Sequence, residues 1–249
     1  MNNLLFCVVA LAALCDCLQF HVEASSFKKC DKRRSDFNDC LSDVVYNSLK
    51  VLDKPLKSHG LPGLYDVEFP PDVVVEIGNS TYGLLQKFAK FRLTGLSKPQ
   101  GVKARLDFGP LTSTLTIDAS YSELTWGVDY EAQGTAVLLP LNVVTPVELI
   151  MYNPTFSFTI KLEEYDKGTT YFRVIDSEFD IKTADRLKFE FKQLFSNRRL
   201  NDEFNSALSE KGLQVLHTFK HLQVVFAPRF GSIFNSFLEK VPVAELFEV

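Results

Sequence analysis

Methionine, tryptophan and histidine are scarce in this chain, which has only two Met, one Trp and four His among 249 residues. It also has no basic excess, with 27 Lys+Arg against 31 Asp+Glu for a formal charge of -4. Non-specific nucleic-acid binding relies on many cations neutralising phosphates, so that class is disfavoured. After the first residues no stretch approaches eighteen uncharged apolar residues, which argues against a polytopic membrane protein. Neither a Gly-x-Ser-x-Gly elbow nor a Gly-rich phosphate loop opening a helix occurs. At 46% hydrophobic and 23% charged residues the chain has an ordinary globular balance, so disorder and collagen-like repeats are excluded. What is abundant is ring area: 22 Phe and 8 Tyr. So many rings must be buried, either as plain core or as the wall of a cavity for an apolar ligand.

Residues Leu4 to Leu14 read LLFCVVALAAL, an apolar run too short to span a bilayer, and Val22-Glu23-Ala24 offers modest side chains where a signal peptidase reads. Residues 1–24 are therefore expected to be a secretory leader cleaved near Ala24, with residues 25–249 forming one mature domain. Cleavage removes Asp16 and Glu23, leaving 27 basic against 29 acidic residues. It also removes Cys7, Cys15 and Cys17, so five cysteines become two. An even pair in an oxidising compartment predicts a Cys30–Cys40 disulfide. Two cysteines alone do not make a zinc site. Asn79-Ser80-Thr81 is an N-glycosylation sequon in a turn-like setting.

Along the mature chain the apolar period changes twice. Ser35 is placed to cap a helix with Asp36 and Asp39 in its first turn, and Phe37, Leu41, Val44, Ser48 and Leu52 recur at helical spacing up to Pro55. The period then falls to two. Val73, Val75 and Ile77 open this section; Leu115, Ile117, Ala119 and Tyr121 alternate with polar residues, as do Phe156, Phe158, Ile160 and Leu162, and Leu187, Phe189 and Phe191. These are antiparallel strands with one dry face, long enough to make a strongly twisted sheet. From about Leu200 helical spacing returns and continues almost to the end, with Pro228 expected to kink or split it. About forty helical residues would span roughly 60 Å, and they lack the heptads of a coiled coil. The remaining arrangement is a long helix lying in the trough of a curled sheet, with space left between rod and trough.

These residues resemble the takeout/juvenile hormone-binding protein (JHBP) family of insects. The resemblance is carried by several segments in order: Cys30-Asp-Lys-Arg-Arg-Ser-Asp-Phe-Asn-Asp-Cys40-Leu41; the turn Gly60-Leu61-Pro62; Pro70-Pro71-Asp72; and Asp129-Tyr130-Glu-Ala-Gln-Gly134 running into Val137-Leu138-Leu139-Pro140-Leu141. Phe191-Lys-Gln-Leu194-Phe195-Ser-Asn197 and the terminal Val241-Pro242-Val-Ala-Glu245-Leu246-Phe247 complete it. The chain departs from the pattern at Asn142-Val143-Val144-Thr145, where a Gly-x-Gly is usual, at Gly212, where a Trp is frequent, and in lacking a second cysteine pair, so it is closer to the takeout branch.

The resemblance implies an α+β fold of the TULIP-like type: a long curled antiparallel sheet wrapped around a long C-terminal helix, elongated, with an apolar tunnel. It implies a secreted, extracellular carrier of a small lipophilic ligand (a juvenile hormone-like terpenoid, a fatty acid or another apolar signal) without catalysis or cofactor. Tyr130 matches the family's strand tyrosine. Tyr121, Phe156, Phe158, Phe189, Phe191, Phe219 and Phe226 are the other candidate lining residues. The alternative is an extracellular interaction or signalling protein of the same fold whose tunnel is filled by its own side chains.

Catalytic and metal chemistry find little support. His217 and His221 stand one helical turn apart, but Thr218, Phe219 and Lys220 fill the gap where a metalloprotease carries its Glu. No metal is expected. Lys28, Lys29, Lys32, Arg33 and Arg34 form a cluster suited to an acidic partner or a membrane surface, and a solvated face beside the disulfide is the expected reading; an unknown receptor is a further candidate partner. The protein is expected to be a monomer with no nucleic-acid partner and no stable membrane insertion.

Overall fold

The computed structural model describes residues 28–248 apart from 58–59, 70–71, 78–82, 137–138, 213 and 215–219. The expected leader, Asn79, His59, His217 and Phe219 lie outside the described residues, as does the side chain of His221. Strand β1 (Cys30–Asp31) leads into helix α1 (Phe37–Val51). Ten described strands follow: β2 (Asp66–Phe69), β3 (Val73–Ile77), β4 (Leu84–Thr94), β5 (Gly101–Phe108), β6 (Thr112–Ser120), β7 (Glu123–Ala136), β8 (Leu139–Tyr152), β9 (Thr155–Asp166), β10 (Thr170–Thr183) and β11 (Arg186–Phe191). Helices α2 (Arg198–Glu210) and α3 (Lys220–Leu238), the single turn α4 (Val243–Leu246) and β12 (Phe247–Glu248) complete the order.

The period-two segments become strands because alternation gives each a dry face. In β9, Phe156, Phe158, Ile160 and Leu162 are all buried, while Lys161 and Glu164 are not. The strands hydrogen-bond as two antiparallel sheets, one ordered β10-β9-β6-β5 and the other β11-β8-β7-β4-β2, with β3 also pairing β4. β7 and β8 pair from Glu123↔Tyr152 to Ala136↔Leu139. Fourteen residues at about 3.4 Å each make a ribbon of roughly 45 Å, long enough for twist to curl it. Gly134 near its end has φ +134°, and a Cβ there would run into the carbonyl oxygen of Gly83 at the start of β4. Only glycine lets the two backbones meet.

Together the sheets wrap α3. Phe226 reaches Phe69, Phe91 and Trp126 of the larger sheet, and Phe230 reaches Phe158 and Phe179 of the smaller one. Close approach to β10 depends on Gly231, where a Cβ would lie 2.6 Å from Ser177 Oγ. That hydroxyl donates to the Ala227 carbonyl at 2.9 Å. Cys30 and Cys40 are disulfide-bonded, with a Cα–Cα separation of 5.9 Å. β1 also pairs in parallel with β12, Cys30 opposite Phe247. The disulfide and this pairing tie α1 to the C-terminal end of the chain.

Three local expectations need correction. Asp36, not Ser35, is the N-cap residue of α1, and its side chain makes no capping bond. Its neighbour Arg34 holds that carboxylate in a two-pronged ion pair instead. The C-terminal helical stretch includes a separate helix ending at the C-cap Lys211, whereas Pro228 lies within α3 and does not split it. Val75 is partly exposed, because β3 is an edge strand.

Candidate functional site

An apolar cavity of about 230 Å³ lies between α1, the smaller sheet and the second half of α3. Each side is supplied by a different sequence period. The amphipathic spacing of α1 points Leu41, Val44, Val45, Leu49 and Leu52 inward; alternation in β6 delivers Leu115, Ile117 and Ala119; and α3 contributes Phe230, Ile233, Phe234 and Phe237. Leu61, Leu64 and Leu96 from the loops complete much of the wall. Lys28 and Glu245, both exposed, stand at the rim beside β1 and β12.

Among the described residues lining the cavity, Tyr121 is the one tyrosine, and as a residue it is 1% exposed. Its backbone N–H is bonded to the Pro154 carbonyl at 3.0 Å. Its hydroxyl has no hydrogen-bond partner among the described residues, and burial pushes its pKa well above the ordinary phenol value, so it is a neutral donor. Ser48, the other lining hydroxyl, already donates to the Val44 carbonyl at 2.7 Å.

Behind one end of the cavity the interior is filled by rings. Phe158 and Phe230, whose centroids are 4.6 Å apart, form the boundary. Phe179, Phe69, Phe226 and Trp126 pack behind them at successive centroid distances of 4.4–5.2 Å. Trp126 Nε1–H is buried in that packing without a hydrogen-bond partner, a cost of about 1–3 kcal/mol. Further rings continue through Phe91, Phe88, Tyr130 and Phe191 to Phe204.

The expected lining residues therefore separate. Tyr121 and Phe158 line the cavity. Phe156 and Phe226 are in the ring packing behind it, and Phe189 is buried core. Tyr130 belongs to a second buried cluster, against which the half-buried Phe191 packs; the Tyr130 hydroxyl donates to Gln86 Oε1 at 2.8 Å and burial raises its pKa. The wall is mostly aliphatic where aromatics were anticipated. Its largest missed contribution is α1, whose 3–4 spacing marked a dry face without showing that the face borders space.

A larger depression of about 1300 Å³ runs between β11 and α2, and several of the polar groups that line it already have partners. Lys188 and Lys192 hold Glu190, whose pKa is lowered chiefly by the Lys188 hydrogen bond. Asn201, Asn205 and Ser209 bond the backbone of β11 and the loop after it. Among the described residues, no group of three or more His, Cys, Asp or Glu side chains is placed to hold a metal ion. No described helix is long and apolar enough to cross a membrane.

The sequence model of the family described as "Haemolymph juvenile hormone binding protein (JHBP)" matches residues 4–248. Among solved structures, Takeout 1 of Epiphyas postvittana is similar with a TM-score of 0.69 and 21% identity, covering 89% of this chain and 99% of that one. A lipopolysaccharide binding protein aligns at a TM-score of 0.43 and 12% identity, over 80% of this chain and 37% of its own. No curated protein sequence matches.

Proposed function

The chain belongs to the haemolymph juvenile hormone binding protein family, and on that premise we propose that it is a secreted carrier of one small lipophilic molecule, held in the cavity under α1. The observation that carries this reading is an apolar cavity of about 230 Å³ with the buried Tyr121 in its wall. Apolar walls supply affinity by removing ligand surface from water, roughly 25 cal/mol per Å² before association costs are subtracted. One buried hydroxyl then fixes the orientation of a ligand with a polar end. The work required is desolvation, not bond making, so the mechanism is uptake and release. A terpenoid, a fatty acid or a related apolar signal fits this chemistry. The leader, cleaved near Ala24, would deliver the chain to the oxidising space where Cys30 and Cys40 pair.

The test is competitive displacement of an environment-sensitive apolar fluorophore from delipidated protein, with Ala119→Leu as the comparison. Ala119 is 1% exposed and lines the cavity, so the larger side chain fills it. The carrier reading expects saturable, displaceable binding by the wild type and at least tenfold weaker binding by the variant. Equal binding by both folded proteins would place the fluorophore elsewhere and contradict the reading.

A second reading is favoured by one observation, the run of rings that fills the interior beyond Phe158 and Phe230. On that reading the molecule is an extracellular interaction protein, and its cavity is left over from packing. It expects no displaceable binding.

A further inference from the structure

Resting on the carrier reading, we infer that the packed rings set a length limit, so that this chain selects compact apolar ligands of about ten heavy atoms and rejects extended chains. Phe158 and Phe230 are the residues that determine the limit.

The rings do not simply line a wall; they cross the interior from one sheet to the other. Phe69 and Trp126 project from the larger sheet, Phe158 and Phe179 from the smaller one, and Phe226 and Phe230 from α3 between them. Phe230 touches rings on both sides, with centroids 5.0 Å from Phe69, 4.6 Å from Phe158 and 5.2 Å from Phe179. Direct packing of Trp126 against Phe179, at 6.5 Å, bridges the sheets without the helix. A chain entering from the rim meets this partition after passing α1. To go further it must separate ring pairs in edge and tilted contact.

The size of the space sets the ligand class. A cavity of about 150 Å³ accommodates benzene, six heavy atoms. Scaling to the 230 Å³ found here gives about nine or ten heavy atoms, the size of an eight-carbon acid or alcohol or a ten-carbon terpenoid. Tyr121 supplies the hydrogen bond for the polar end. The limit comes from particular side chains of this chain, so substituting them should move it.

The experiment is calorimetric titration of delipidated, full mature protein with straight-chain primary alcohols from six to sixteen carbons. Affinity is expected to rise about fourfold per methylene while surface is still being buried. It should then stop rising between eight and ten carbons. Phe230→Ala should move that break by at least two methylenes to longer chains, and Phe230→Leu by a smaller step in case the first variant does not fold. Phe204→Leu, in the distant ring cluster, should leave the break in place. Near-ultraviolet circular dichroism checks that each protein is folded. Affinity that climbs without a break to sixteen carbons would overturn the length limit alone. A break unmoved in both folded Phe230 variants would overturn the assignment to this residue. Failure of folded wild-type protein to bind any alcohol would overturn the carrier reading, and the length limit with it.

Discussion

Tyr121 shows how much function can depend on one polar atom in an apolar place. A hydroxyl at an apolar wall with no partner of its own has no bond to lose, and it gains one only when something else supplies the acceptor. Tyr121→Phe should therefore leave thermal stability equal or slightly higher. It should weaken a ligand with a hydrogen-bonding end by about 2- to 10-fold, yet leave a pure hydrocarbon of the same size unaffected. Loss of stability, or equal weakening of both ligands, would show that the ring acts by packing alone. Tyr130 makes the contrast: its hydroxyl is already engaged by Gln86, so it has less to offer a ligand. The sequence presented Tyr121 on the dry face of an alternating stretch and Tyr130 as the match to the family's strand tyrosine. Alternation gives the face a side chain occupies but not whether a carboxamide or empty space lies opposite, so the two could not be told apart.

Elements differ in how far they could be read ahead. β6 and β9 were legible because strict alternation leaves one burial pattern, and Ile117, Ala119, Phe156 and Ile160 are all buried accordingly. α1 was legible as a helix, but its role as cavity wall was not, because a dry face reads the same over packed core and over space. The partnership of α2 with β11 was hidden for another reason: it is made by polar residues. β11 is the last strand of the larger sheet, and an unprotected edge leaves backbone groups open. Asn201, Asn205 and Ser209 recur every four residues on α2 and bond Leu194 N–H, Phe191 N–H and Phe189 N–H at 2.8–3.0 Å. Asn201 also donates to the Phe191 carbonyl at 2.8 Å and is 6% exposed. Asn201→Ala removes one partner from buried backbone groups and should cost about 1–3 kcal/mol, read as a lower midpoint in urea with unchanged slope. No shift of the midpoint would mean that water replaces the amide without loss.

At the scale of the whole molecule, surface charge and interior volume act separately. Five carboxylates, Asp31, Asp36, Asp72, Asp176 and Glu190, have pKa values below their ordinary values of 3.8 and 4.5, mainly through hydrogen bonds to Arg33, Arg34, Lys87, Lys161 and Lys188. A lowered carboxylate contributes stability above its unfolded value and loses it as pH falls through the folded one. The melting temperature should thus be insensitive to these pairs above pH 4.5 and fall as pH drops below 3.8. Exposed pairs are individually weak, so the fall should be gradual; a drop beginning near pH 6 would point to other groups. The curled sheets around a C-terminal helix were legible from the change of period. The division of the interior into a cavity and a ring-filled remainder was not, because 22 Phe serve equally well as wall or as filling.

Whether the cavity holds a guest decides the account. The most direct measurement is a native mass spectrum of the secreted, delipidated protein before and after exposure to a mixed apolar extract, with the bound fraction recovered into solvent and identified. The account predicts a saturable one-to-one adduct whose recovered component is compact and apolar with one polar end. A folded protein that takes up nothing from terpenoid, fatty-acid and hydrocarbon mixtures would contradict it.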